Sequence, residues 1–220
     1  MFMKKALIVY GGWEGHYPVP LSELFGGWLT EAGFDVTKSD SLDAFAKAEE
    51  LKTYDLIVPI WTMGEIPNEY AENVSQAVAA GVGMAGCHGG MCDAFRNNTT
   101  WQFITGAQWV AHPGNAEAHY TVNILKSADS PLTEGICDFD VTSEQYYIHT
   151  DPAVHVLATT SFPVIDGPHA ANGHVDVPVV FTKKWGKGKI YYNSLGHTPD
   201  IFDIPEAKEL MKRGLIWAAR

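Results

Sequence analysis

Gly81–Gly90 reads GVGMAGCHGG. Val82–Gly86 suits the end of a buried strand, and the chain then turns through glycines with Cys87 and His88 at the tip. A strand–turn–helix elbow needs small residues at both ends, because its tip is held in a strained backbone conformation where a neighbouring Cβ would clash. Two frames meet that need. Gly86-Cys87-His88-Gly89-Gly90 puts His88 at the tip; Ala85-Gly86-Cys87-His88-Gly89 puts Cys87 there. Glycine at both ends favours the first, with His88 exposed and Cys87 turned back toward the sheet. Spacing alone equally allows a plain helix start whose glycines ease a tight turn.

Upstream of the elbow the pattern is regular. Lys5–Tyr10 (KALIVY) is a continuous apolar run, as expected of a strand covered on both faces. Val19–Ala32 carries apolar residues at helical spacing and stops at Gly33. Phe34–Lys38 reads as a second strand, Asp43–Leu51 as a short helix and Tyr54–Ile60 as a third strand. A helix starting near Pro67 runs to Ala80, and Val82–Gly86 is the fourth strand. This alternation predicts a flavodoxin-like doubly wound parallel α/β sheet. Beyond the elbow the pattern changes. Trp101–Gly106 suggests a helical turn, and Ala107–Asn115 a loop carrying His112. Ala118–Leu125, Val141–Tyr147, Val154–Thr160, Pro178–Lys183 and Lys189–Leu195 suggest strands, the last two joined as a hairpin through Trp185–Gly188. Val164–Val177 reads as a loop. Glu206–Ala219 closes the chain as an amphipathic helix. The second half is therefore expected to extend the sheet with antiparallel strands, and residues 1–220 to form one domain with no linker or internal repeat.

Composition narrows the function classes. The chain is 46% hydrophobic and 12% aromatic, which is globular. A formal net charge of -11 argues against nucleic acid or an anionic membrane as partner and is compatible with a neutral or cationic small molecule. Three cysteines, Cys87, Cys92 and Cys137, show no disulfide spacing, which points to a reducing compartment. The opening MFMKKALIVYGGW reads as a first strand rather than a signal peptide, and no stretch approaches the length of a membrane span. A cytoplasmic location is the expectation. Self-association into a homo-oligomer is compatible with all of this.

In an open parallel sheet, ligands bind beyond the carboxyl ends of the strands. Strand one delivers Trp13, Glu14 and His16 there, strand three Trp61 and Glu65, and strand four Cys87 and His88. Taken singly, each histidine is as readily a hydrogen-bonded structural residue, and each tryptophan a core residue. Cys92 and Cys137 read as small hydrophobes. Convergence of several loops is the stronger signal.

Several segments carry a family resemblance. They are Gly11-Gly12-Trp13-Glu14-Gly15-His16, Gly86-Cys87-His88-Gly89-Gly90 with Phe95-Arg96, Gly106 with His112-Pro113, Glu144-Gln145-Tyr146-Tyr147, and Pro178–Val180 through Gly186–Tyr192 to Leu195-Gly196-His197. In this order they resemble the ThuA-like (trehalose utilisation) family of the class I glutamine-amidotransferase-like superfamily. Phe181 stands where that family usually has Trp. The resemblance implies utilisation of trehalose or a related disaccharide, alongside oxidoreductases that make 3-keto sugars. An amidotransferase would use a Cys at the elbow, with a late His and a Glu two residues on. Here the late histidine reads His197-Thr198-Pro199-Asp200, so glutaminase chemistry ranks lower.

Chemistry on a keto sugar calls for a base beside the carbonyl and an electrophile for the enolate oxygen. Glu144 or His88 could be the base. His16, His112 and His197 could hold a divalent metal ion. Trp13, Trp61 and Tyr146 could stack on the sugar, with Glu65 hydrogen-bonding to it. At least three of His16, His88, His112 and His197 are expected around one cavity with Glu65 and Glu144. Two other readings stay open: a hydrolase- or amidotransferase-like enzyme using Cys87, and a sugar-binding protein without catalysis.

Overall fold

The computed structural model describes residues 3–220. β1 (Lys4–Gly12) lies between β2 (Phe34–Ser39) and β3 (Leu56–Thr62), parallel to both, with Ile8 opposite Lys38 and Val58. β4 (Gly83–Cys87) follows on the far side of β3. β11 (Gly188–Asn193) then lies parallel to β4, Tyr191 opposite Ala85. The order β2-β1-β3-β4-β11 is the flavodoxin-like one, with β11 in fifth place. The same sheet continues antiparallel through β10 (Val175–Trp185), β9 (His155–Phe162), β6 (His119–Ile124) and β7 (Phe139–Thr142). A separate ribbon pairs β5 (Ala107–Ala111) with β8 (Tyr147–Thr150).

Alternation along β1 builds two cores. Ala6 and Ile8 pack with Phe25 and Leu29 of α1 (Pro18–Glu31) and with Leu210 and Leu215 of α6 (Pro205–Ala218). Leu7 and Val9 join Val74 and Val78 of α3 (Asn68–Ala80) and Trp101 and Ile104 of α5 (Thr99–Thr105). A strand with apolar cover on both faces cannot alternate in polarity, which is why KALIVY is continuous. The hairpin forms as its turn implies, with Trp185 opposite Gly188. Among the described residues, no helix is long and apolar enough to cross a membrane.

Three expectations about local structure change. Asp43–Leu51 is a 3-10 turn (Leu42–Phe45) and then a single helical turn (Ala48–Leu51). The side-chain amide of Asn73 donates to the carbonyls of Phe45 and Ala46, which a continuous helix would have used itself. Ala107–Asn115 is not wholly loop, because its first five residues form β5. Val141–Tyr147 is not one strand: β7 ends at Thr142 and β8 begins at Tyr147, so Ser143–Tyr146 lies outside both ladders. The Ser143 N–H donates to the Ala118 carbonyl, and the Gln145 amide donates to Thr160 Oγ1. These bonds hold the interruption rigidly.

On the extension, Lys183 is buried and reaches Asp151 at 2.8 Å and the Phe103 carbonyl. The Lys183 hydrogen bond, helped by the Ala153 N–H, holds the Asp151 carboxyl below its ordinary value. Asp151→Asn should destabilise by about 1–2 kcal/mol at neutral pH, less than the roughly 3–5 kcal/mol of a fully buried pair because Asp151 is partly exposed. A depressed folded-state value means that the stabilisation exists above the ordinary aspartate range and fades as pH falls through the folded value. Denaturant melts should therefore show the gap between wild type and variant at pH 7 and its closure in acid. A constant gap would contradict the assignment.

Candidate functional site

Every parallel strand of the sheet ends on one rim, and His16, His88 and His197 come from the loops there, with His112 from the separate ribbon. His16 closes the 3-10 turn Glu14–His16 after β1. His88 follows β4 and opens the one-turn helix α4 (Gly89–Cys92). His197 lies four residues beyond β11, and His112 directly follows β5. The rigid Ser143–Tyr146 interruption brings Glu144 into their midst. Its Oε2 lies 3.1 Å from His88 Nε2, 3.4 Å from His197 Nδ1 and 3.6 Å from His16 Nε2. The other oxygen, Oε1, faces His112 Nδ1 at 3.9 Å.

His88 sits at the tip of the elbow with φ 47 and ψ -137, a conformation that costs a non-glycine residue about 1–3 kcal/mol. The turn is held by the His88 N–H donating to the Asn193 carbonyl at 2.7 Å, and by the Tyr192 hydroxyl donating to the His88 carbonyl. The tip faces inward: His88 is 1% exposed, and its ring stacks on Tyr146 at 3.9 Å. Its Nδ1 lies 2.8 Å from the Ser194 carbonyl. A carbonyl only accepts, so Nδ1 carries the proton. His16 Nδ1 is hydrogen-bonded to Thr62 Oγ1 at 2.9 Å, a hydroxyl that can accept from it or donate to it.

Glu144 is only 6% exposed. Burial raises its carboxyl, and the imidazoles of His16, His197 and His88 lower it to the extent that they turn N–H groups toward it. Burial pushes His88 down to about 4, more than its contact with Glu144 can offset. Among the described residues, no lysine or arginine pairs with Glu144; its ion-pair partners are all imidazoles. One nitrogen each of His16, His88 and His197, with one oxygen of Glu144, lie within 4.8 Å of one another, a donor set suited to a divalent metal.

The ThuA profile, described as trehalose utilisation, matches residues 5–218. The chain belongs to the ThuA family. Solved structures with the same fold include a ThuA-like protein from Bacteroides uniformis, 20% identical, with a TM-score of 0.75 over 98% of this chain and 91% of that one. A second, from Parabacteroides merdae, is 18% identical, with a TM-score of 0.76 over 99% and 90%. A Salmonella typhimurium protein described as cytoplasmic is 14% identical, with a TM-score of 0.68 over 99% and 100%. No curated protein matches the sequence.

Within this ThuA chain the expected site residues separate into two groups. His16, His88, His112, His197, Glu144 and Tyr146 come together. Trp13, 46% exposed, stands at the rim with its ring edge-on to His16 at 4.7 Å. Glu65 does not join them. It is exposed and lines a separate cup of about 130 Å³ with Asn68 and Phe95. Trp61 also looks elsewhere, into a cleft of about 340 Å³ beside Glu14 and Asp40. The expected metal trio of His16, His112 and His197 differs from the set that converges: His112 stands outside, and His88 and Glu144 take part. His88 is at the tip as the double-glycine frame implies, but it is buried rather than exposed.

Sequence reasoning missed Thr62, the Ser194 carbonyl, and a wall built on Trp109. Trp109 lies 5.3 Å from the His112 ring and under the Arg96 guanidinium, which is itself held by both oxygens of Asp93. Trp109 lies in AQWVA, too short a run to mark it, whereas Arg96 stands in one of the segments that carry the resemblance.

Cys87 is 2% exposed, and burial pushes its thiol up to about 12. A thiol so held is not a nucleophile at neutral pH. Cys92 is likewise buried and raised, whereas Cys137 is exposed. A thiol reagent should modify one cysteine per native chain, Cys137, and all three after denaturation. Rapid modification of a second thiol that disappears in Cys87→Ser would instead mark Cys87 as activated.

Proposed function

We propose that this ThuA-family chain is an enzyme of carbohydrate utilisation that moves a proton on a keto sugar derived from trehalose or a related disaccharide. The observation that carries the reading is a single carboxylate, Glu144, with one oxygen embedded among imidazoles and the other turned toward a more accessible histidine. A general base must be unprotonated and within reach of the proton it takes. Oε1 of Glu144 faces His112, whose side chain is 28% exposed, whereas the His88 ring lies against Tyr146. His112 and His197 are the more exposed imidazoles around the carboxylate.

In this scheme the sugar enters over Trp13, whose exposed indole offers an apolar face. Glu144 Oε1 removes the proton from the carbon next to the carbonyl. The C–H electron pair becomes the enolate, and an imidazole N–H of His112 donates to the developing oxygen. Return of a proton to the same α-carbon restores the ketone and completes an exchange or an epimerisation, with no redox partner needed. The buried, unreactive state of Cys87 argues against the thiol-dependent alternative.

The test is wash-in of solvent deuterium at the α-carbon of a 3-keto disaccharide such as 3-ketotrehalose, followed by NMR. Wild type should exchange. Glu144→Gln should lose roughly 100-fold or more of the rate at an unchanged fold, the usual range for losing a general base. His112→Ala should lose less. Binding of the sugar by wild type without exchange would mark a sugar-binding protein instead. Exchange that survives Glu144→Gln would remove Glu144 from the reaction.

A further inference from the structure

A buried carboxylate needs a positive partner, because the desolvation of an uncompensated charge costs several kcal/mol. Glu144 has imidazoles instead, and at least one of them faces it the wrong way round for a hydrogen bond. His88 gives its Nδ1 proton to the Ser194 carbonyl. In the uncharged ring Nε2 then carries a lone pair, and it lies 3.1 Å from a carboxylate oxygen, acceptor against acceptor. His197 Nδ1 is buried with no hydrogen-bond partner among the described residues, although it lies 3.4 Å from the same oxygen. His16 can repeat the His88 pattern, with Nδ1 bound by Thr62 and Nε2 directed at Oε2.

We infer that His16 Nε2, His88 Nε2, His197 Nδ1 and Glu144 Oε2 bind one divalent first-row transition metal ion. Lone pairs that would repel one another become ligands once a cation lies between them. Donors around a tetrahedral or octahedral ion at about 2.1 Å stand roughly 2.9–3.5 Å apart; the distances to Oε2 are 3.1, 3.4 and 3.6 Å, and all four donor atoms lie within 4.8 Å of one another, so small side-chain movements bring them onto one ion. The supporting shell fits as well, because a ligating histidine commonly gives its second nitrogen to a carbonyl, carboxylate or other oxygen that fixes its tautomer. Ser194 does this for His88 and Thr62 does it for His16. Three imidazoles and a carboxylate, with both nearby thiols protonated and turned away, select zinc, nickel, cobalt, iron or manganese over monovalent copper. The site does not depend on which carbohydrate is bound, or on whether one is.

The experiment uses tag-free chain, stripped with a chelator and dialysed. Titration with Co²⁺ or Zn²⁺ should give one ion per chain, with a visible Co²⁺ spectrum of nitrogen and oxygen donors. Glu144→Gln and His197→Ala should each weaken binding by at least 100-fold, and Thr62→Val by about 10- to 100-fold as a tautomer-fixing partner. His112→Ala should stay within a few-fold of wild type. Thermal melts of the metal-free proteins check folding. X-ray absorption on the wild-type metal complex needs no variant and should count three imidazoles. Stripped, folded wild type that binds no ion would overturn the inference. So would wild-type affinity in Glu144→Gln, loss in His112→Ala equal to that in His197→Ala, or an absorption spectrum without imidazole. Metal binding with no deuterium exchange on any keto sugar leaves this inference standing and removes the sugar reading. Exchange by a protein that binds no metal does the reverse.

Discussion

Glu144 is a carboxylate removed from water with only imidazoles around it, and much of the molecule's local detail answers that one constraint. The rings must approach closely, so the backbone beside them must be bare. A Cβ on Gly89 would lie 2.5 Å from His16 Nδ1 and 2.8 Å from Thr62 Oγ1. A Cβ on Gly196 would lie 2.8 Å from Cys87 Sγ, in the turn that delivers His197. Either side chain would push an imidazole away from the carboxylate or expel the thiol packed behind the elbow. The glycines of the motif therefore serve packing around a buried charge as much as they serve the turn.

Sheet topology explains how distant segments meet. Parallel strands end on the same rim, and β11 re-enters parallel to β4 after the whole antiparallel excursion. That return places Ser194 and His197 beside the elbow. The excursion also supplies Glu144 from the gap between β7 and β8, where four residues leave the ladders and spend their backbone and side-chain bonds on Ala118, Thr160 and Tyr120. The extension is thus part of the site, since the carboxylate comes from it. This accounts for resemblance segments spread along nearly the whole chain.

The first half of the fold is legible in the sequence because strands covered on both faces leave continuous apolar runs and their helices end at glycines. The second half is harder. β5 and β8 form a two-stranded ribbon of five and four residues, too short for alternation to stand out. The break at Ser143–Tyr146 depends on partners far away in the chain. The same holds for the site. His16, His88, His197 and Glu144 can be nominated from residue type and strand-end position, but their distances to one oxygen cannot. Glu65 shows the limit. It follows a strand just as His16 does, yet Met63 and Gly64 both take positive φ, and the Met63 N–H donates to the Asp93 carbonyl. Those two turns carry Glu65 out to solvent.

The elbow itself shows why one backbone device can serve different chemistries. Its strain fixes the tip residue's direction, and neighbouring elements decide what that direction means. Here Asn193 and Tyr192 bind the tip's backbone, Ser194 binds its ring, and Tyr146 covers it, so the tip points into protein rather than into solvent. A nucleophile so enclosed would be useless, whereas an imidazole so enclosed is a fixed lone pair. The two oxygens of Glu144 divide accordingly. Oε2 meets the enclosed group of His16, His88 and His197, and Oε1 turns toward His112. Under the two proposals the inner oxygen holds the ion and the outer one meets the sugar. The same carboxylate can serve both because its inner half is immobilised by three rings while its outer half has a single, looser neighbour.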